Sequence, residues 1–238
     1  VTEDISPAEI LREQQEYYNA RASEYDEWWL RRGRYDRGED ENSIWFSEQE
    51  QVRSAFAELD WGGEILELAG GTGIWTEWLA SRARKITVLD GSLEMIAINS
   101  ARLEAGGYRG KATYQQVDLF TWQPEQQYDG LFMGYFISHV PEDRLDAFLA
   151  TVAAALRPGG VFGLIDGRRD VRSTSPDQPP PGPETELMTR RLNDGRTYQI
   201  VKRFDEPDAL TALFDRHGID AQVRTTDVHF LYATGHKR

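Results

Sequence analysis

The 238-residue chain contains no cysteine. That excludes disulfides, thiol nucleophiles and cysteine metal sites, and it suits a reducing, cytoplasmic setting. Histidine is scarce, at four residues, and none shares metal-site spacing with Asp or Glu, so no metal is expected. Apolar runs are strand-sized and too short to span a membrane as helices. Val1 to Glu9 lacks a basic stretch followed by an apolar one, so no secretory signal is expected. Positive charge is also in deficit, with 27 Lys and Arg against 40 Asp and Glu and a net charge of -13. Such a surface repels nucleic-acid phosphates and anionic lipid, so neither is expected as a partner. The short basic clusters, Arg31-Arg32-Gly33-Arg34 and Arg168-Arg169, are flanked by acids and read as loops.

What is present is a globular composition, 39% hydrophobic and 28% charged, with length for one domain. Pro7 to Leu30 reads as a helix with Ile10, Gln14, Tyr18, Arg21, Tyr25 and Trp28 on one face. Arg31 to Asn42 reads as a loop. Ser47-Glu48-Gln49-Glu50 has the pattern of a capping box, predicting a helix to about Leu59. Short apolar strands then alternate with helices. Strands are expected at 64–69, 85–89, 112–117, 128–137 and 161–165, and helices at 74–82, 92–105 and 141–156. This rhythm predicts parallel βαβ units buried on both faces. Five prolines between Gly167 and Glu186 predict an extended loop. An extra strand is expected at 196–204. A helix capped by Asp205 should end at His217-Gly218, and two strands at 219–226 and 229–234 should close the chain.

Four features fall in order at carboxyl ends of strands, where open α/β sheets bind ligands. Glu67-Leu68-Ala69-Gly70-Gly71-Thr72-Gly73 joins a strand to a helix, and its glycines permit positive φ and close approach of a ligand. Asp90 ends the next strand, at the position of an acid that holds ribose hydroxyls. Asp118 ends the third, placed to accept from an adenine amino group. Gly134-Tyr135-Phe136-Ile137-Ser138-His139 ends the fourth. Each acid alone is equally a helix cap; the ordered set is what points to a nucleoside. A nicotinamide-binding loop would need a glycine three residues after Gly73, and a phosphate-binding loop would need Gly-Lys-Ser/Thr; neither is present.

From about Tyr17 onward, and most closely from Ile65 to Asp166, the chain resembles the class I S-adenosylmethionine-dependent methyltransferases. The resemblance implies a doubly wound, Rossmann-like α/β fold, with a seven-stranded, mostly parallel sheet whose last strand is reversed, plus an N-terminal helical lid. It implies S-adenosyl-L-methionine as cofactor. Gly70, Gly71 and Gly73 would form the cofactor loop, with Ala69 where many members carry glycine. Glu67 would orient that loop and the amino acid end of the cofactor. Asp90, with Gly91, Ser92 and Met95, would take the ribose, and Asp118 and Leu119 the adenine. Gly134 and Tyr135 would complete the wall. The region after the fourth strand lacks the Asn/Asp-Pro-Pro-Tyr type motif of nucleobase amino-methylating members.

The implied organisation is one methyltransferase domain over 1–238. It divides into a lid and substrate segment at 1–46, a cofactor-binding core at 47–166, a proline-rich loop at 167–195, and C-terminal strands and helix at 196–238. Tyr17 to Asp26 resembles the entry segment of small-molecule members, so Tyr18, Arg21 and Tyr25 are expected to close over the cofactor and meet its carboxylate. Trp28, Trp29, Trp45 and Phe46 are expected to line an apolar substrate pocket, and Trp75 and Trp78 to pack in the core. His139 is the expected general base, with an ordinary imidazole pKa. His217 is expected to end a helix. The expected activity is methyl transfer to a small molecule, oxygen ahead of nitrogen or carbon. A non-catalytic cofactor-binding accessory protein or a protein methyltransferase is the alternative. Nothing in the sequence fixes substrate or oligomeric state.

Overall fold

Two features of the sequence decide the architecture: short strands, most of them apolar, and helices with one apolar stripe each. The computed structural model describes residues 6–238; the reading of Val1 to Glu9 falls largely outside them. Strands β1 (Glu64–Leu68), β2 (Lys85–Asp90), β3 (Ala112–Gln116), β4 (Tyr128–Gly134) and β5 (Leu156–Gly167) run parallel. The sheet is completed by β8 (Ile219–Thr225) and β9 (Phe230–Lys237), with β9 antiparallel to both β5 and β8. The order is β3-β2-β1-β4-β5-β9-β8. This is the expected seven-stranded sheet, mostly parallel, with its last strand reversed. The chain winds outward in both directions from the β1–β4 pair, which opens a crevice at their carboxyl ends.

Both faces are covered. One carries α6 (Glu142–Ala155) and α7 (Pro207–Arg216), through Phe148, Leu149, Val152 and Phe214. The other carries α3 (Glu39–Ala57), α4 (Ile74–Ala80) and α5 (Leu93–Ala105), through Val52, Phe56, Trp75, Leu79 and Leu103. Trp45, Trp61, Phe56 and Phe132 are fully buried, each worth roughly 1.5–3 kcal/mol of apolar transfer. Trp75 packs in this core as expected, and Trp78 sits against it.

Several boundaries differ from expectation. The long first helix is two: α1 (Pro7–Arg21) and α2 (Tyr25–Trp29), separated by a 3₁₀ turn at Ala22–Glu24. α1 starts in a capping box of Ser6 and Glu9. Ser47 caps nothing, because α3 begins at Glu39. Gly38, at φ +87, ends the preceding loop there, and Glu39, Asp40 and Glu41 favour the positive end of the helix dipole. The 46/47 division therefore falls inside α3. β4 stops at Gly134 because Tyr135 takes a left-handed φ of +56, which an extended strand cannot continue. Asp205 does not cap α7; Glu206 holds that position, and Asp205 pairs with Arg203.

The segment expected to be loop through residue 195 contains a strand. β6 (Leu187–Arg191) and β7 (Thr197–Val201) form a separate antiparallel hairpin. Met188, Leu192 and Ile200 pack on Tyr17 of α1 rather than on the main sheet. The hairpin and the N-terminal helix thus form one layer over the crevice.

Candidate functional site

The turn after β1 is built for close approach. Ala69 and Gly71 hold φ values of +53 and +52, so Ala69 occupies a left-handed position that usually needs glycine. Asn99 of α5 fixes this turn. Its Nδ2 donates to Gly70 O at 3.2 Å, Gly71 O at 3.3 Å and Thr76 Oγ1 at 2.7 Å. Gly73, at φ +89, packs against the same side chain: a Cβ there would lie 2.7 Å from Asn99. Sequence reading missed Asn99, since an asparagine inside a helix carries no local signal of its target.

Asp90 at the end of β2 accepts from the backbone N–H groups of Gly71 and Ser92, both at 2.8 Å. Burial pushes its pKa up, opposed by those N–H groups. Ser92 serves as the N-cap of α5, accepting from Met95 N–H at 3.2 Å. Asp118 lies two residues beyond β3 and accepts from Phe120 N–H at 2.9 Å.

These strand ends and the N-terminal layer enclose a cavity of about 620 Å³, within the usual range for small-ligand sites. Its wall includes Ala69, Gly71, Asp90, Gly91, Met95, Asp118, Leu119, Gly134, Tyr135 and His139 from the strand ends, with Tyr18 and Tyr25 from the helices above. Ala8, Leu11, Arg12, Gln14 and Gln15 of α1 also face it, and of these the sequence placed only Gln14 on the helix's packing face. α1 lies so close to Gly91 that a Cβ there would sit 2.3 Å from Gln15 Oε1. α2 is tied to the glycine turn as well: Thr72 Oγ1 donates to Asp26 Oδ1 at 2.6 Å, and Arg102 bonds both Asp26 and Thr72 O.

A smaller recess adjoins the cavity, lined by Glu67, Gly70, Trp28, Trp29 and Trp75. Glu67 is 2% exposed, and its Oε2 has no hydrogen-bond partner among the described residues. Burial pushes its pKa up to about 8, with the Asp90 charge adding to the effect and a Thr76 hydrogen bond opposing it.

Arg21, Gly73 and Ser92 line neither space. Gly73 and Ser92 shape the turn and the helix start, as described. Arg21 lies behind Tyr25, with its guanidinium carbon 4.9 Å from that ring centroid, so it does not face the cavity as expected. The apolar substrate wall is also revised. Trp45 is core, packed on His229 and Phe230, and Phe46 is 40% exposed.

His139 is held at both nitrogens. Nδ1 lies 2.6 Å from Val201 O; a carbonyl only accepts, so Nδ1 carries the proton. Nε2 therefore accepts from Tyr18 O–H, at 2.7 Å. The ring is neutral, and its pKa is lowered to about 3, by burial first and by the Lys202 cation second. This corrects the ordinary imidazole expected from sequence. Gln14 secures the arrangement, donating to His139 O at 3.2 Å and accepting from Val201 N–H at 3.0 Å. Next to it, Lys202 Nζ donates to Asp166 Oδ1 at 2.9 Å and Ser138 Oγ at 2.6 Å. Lys202 holds the buried Asp166 ionised, its carboxyl below the usual range despite burial. His217 ends α7, as expected, and its Nε2 lies 3.0 Å from Asp146 Oδ1. Among the described residues no cluster of three or more His, Asp or Glu is placed to hold a metal ion, and no helix is long and apolar enough to cross a membrane.

Residues 65–160 match a methyltransferase domain family. The fold of DhpI, solved with SAH, superposes with a TM-score of 0.76 at 33% identity, covering 98% of each chain. DhpI with SAM and HEP gives the same TM-score at 34% identity, covering 95% of this chain and 97% of that one. The ubiquinone/menaquinone biosynthesis C-methyltransferase UbiE of Rubrivivax gelatinosus is 33% identical over 105 residues; the match covers 44% of this chain and 39% of that protein's length.

Proposed function

We propose, for a chain that belongs to the class I S-adenosylmethionine-dependent methyltransferases, that the acceptor is a small molecule methylated inside the roofed cavity, on oxygen ahead of nitrogen or carbon. Its cofactor is S-adenosyl-L-methionine, and the residues suit that group. Asp90, buried at a strand end, would hold the ribose hydroxyls, and Asp118 and Leu119 the adenine. Glu67, with a buried oxygen lacking a partner, would meet the cationic amino end. When bound, the cofactor supplies a methyl group already activated on a sulfonium.

The observation that carries the small-molecule reading is the N-terminal layer. α1 and α2 roof the same cavity that Asp90 and Gly71 line, and the β6–β7 hairpin backs α1 through Tyr17, which suits a compact acceptor better than a polymer. The net charge of -13 argues against nucleic acid, and the cysteine-free composition supports a cytoplasmic setting.

The chain's own residues hold the acceptor in line, exclude water and steer its proton. Tyr18 O–H already donates to His139 Nε2, so a hydroxyl acceptor would donate to Tyr18 Oη while Tyr18 passes its proton to His139. His139 thus keeps a base role only through Tyr18. With a conjugate acid near 3 it is a weak base, and it suits an acidic hydroxyl or an acceptor already ionised. The test is transfer of a labelled methyl group into a size-fractionated cell extract. Label in the fraction below about one kilodalton supports the reading; label confined to protein or RNA overturns it.

A further inference from the structure

Arg21 is a buried cation without an anion. It is 4% exposed, and no carboxylate of the described residues lies within ion-pair distance of it. Its one hydrogen bond is long, from Nη2 to Tyr35 Oη at 3.4 Å, and its Nε has no partner. Instead the guanidinium is packed among tyrosine rings, with centroids at 4.9 Å for Tyr25, 5.5 Å for Tyr17 and 6.0 Å for Tyr35. Ring faces stabilise a cation in part, but a buried charge left uncompensated costs several kcal/mol.

The surroundings add hydroxyls and a second cation, and no free carboxylate. Tyr17, fully buried, has a hydroxyl with no partner. Arg190, on the β6–β7 hairpin, has an unpartnered Nε and no ion pair among the described residues. Its positive field reaches Tyr17, Tyr18, Tyr35 and His139. Asp166 is already taken by Lys202. Tyr17 and Arg21 lie on α1 and Arg190 on the hairpin, and the Tyr25 ring stands between Arg21 and the cavity. In a chain with a net charge of -13, two cations unmatched here are not a sample of the average surface.

The geometry points to a binding site for an oxyanion carried by the acceptor, held by Arg21, Arg190 and the Tyr17 hydroxyl when Tyr25 and the hairpin shift to admit it. This rests on the small-molecule reading above and deepens it to an anionic substrate class: carboxylate, sulfate or phosphate in kind. A planar guanidinium matches the paired oxygens of any of these. It also fits the weak base, since an acceptor that arrives ionised needs little proton removal. The cofactor's own carboxylate is the competing occupant, and the two differ in which affinity Arg21 controls.

Inorganic phosphate and sulfate are the probes, titrated calorimetrically into the protein saturated with SAH. The expected result is saturable binding at millimolar concentration, weakened at least tenfold by Arg21→Gln and by Arg190→Gln, with SAH affinity within twofold of wild type in both. Absence of saturable anion binding by the wild type, or wild-type anion affinity in both variants, overturns the site. A fall in SAH affinity in Arg21→Gln to match the anion's would also overturn it, by assigning Arg21 to the cofactor. Should Arg21→Gln fail to fold by circular dichroism, the wild type and the less buried Arg190→Gln still decide. The readout needs no turnover, so a failed labelled-methyl screen leaves it standing, and a failed titration leaves that screen standing.

Discussion

Glu67→Gln should make the cofactor-free protein markedly more stable at alkaline pH and leave it nearly unchanged at pH 5. Glu67 is 2% exposed, and burial raises its pKa from the ordinary 4.5 to about 8. Between those values the folded protein holds a proton that the unfolded chain has lost, so stability falls as pH rises. The contribution is complete below 4.5 and is lost as pH climbs through 8. The shift spans 3.5 pH units, which at about 1.36 kcal/mol per unit is roughly 4–5 kcal/mol. Glutamine copies the protonated carboxyl in shape and cannot ionise. The variant's advantage should therefore grow by about 1.4 kcal/mol per pH unit from 5 to 8 and then level off. Urea unfolding of both proteins, followed by tryptophan fluorescence at unit steps from pH 5 to 9, measures this directly. Parallel stability curves would refute the reasoning and show Glu67 to be solvated or paired in solution.

Neutral His139, with its pKa lowered to about 3, should give a turnover–pH profile with no acidic limb near 6.5, because Nε2 stays unprotonated through that range. Any stability its neutral form contributes is complete above 6.5 and fades only as pH falls towards 3. Tyr18→Phe, which breaks the link to Nε2, should lower turnover about 10²-fold, and wild-type turnover in both Tyr18→Phe and His139→Gln would contradict the relay. Gly73→Ala combines a φ of +89 with a Cβ 2.7 Å from Asn99, and should cost about 2–5 kcal/mol from left-handed strain plus overpacking. Gly71→Ala meets no atom closer than 4.0 Å and should cost only about 1–2 kcal/mol; equal losses in urea unfolding would contradict this distinction.

The sheet was legible because its central strands β1, β2, β4 and β5 are apolar on both faces and are followed by acids or glycines. Asp90, Gly71 and Asp118 stand at strand ends that a period of two and a period of three and four can locate. The roof was less legible. β6 reads Leu-Met-Thr-Arg-Arg and buries only Met188, because it packs on Tyr17 rather than in the sheet, and so it lacks an alternating pattern. Ser47 and Glu50 matched a capping pattern, but the acidic run Glu39 to Glu41 after Gly38 started the helix nine residues earlier. Contacts between remote segments left no local trace. Gln14 meets Val201, Asn99 meets Gly70, and Tyr18 meets His139 across 121 residues. The same holds for pKa: His139 reads as an ordinary imidazole until Val201 of β7 and the adjoining Lys202 cover it.

If strand ends and roof form the cofactor site, titration of S-adenosylmethionine into wild type and Asp90→Ala shows it most directly. The Asp90 carboxylate is buried in the cavity wall and bonded to Gly71 N–H, so its removal should weaken binding by about 1–3 kcal/mol, or roughly 5- to 150-fold. Wild-type affinity in a folded Asp90→Ala protein would contradict the assignment and place the cofactor elsewhere.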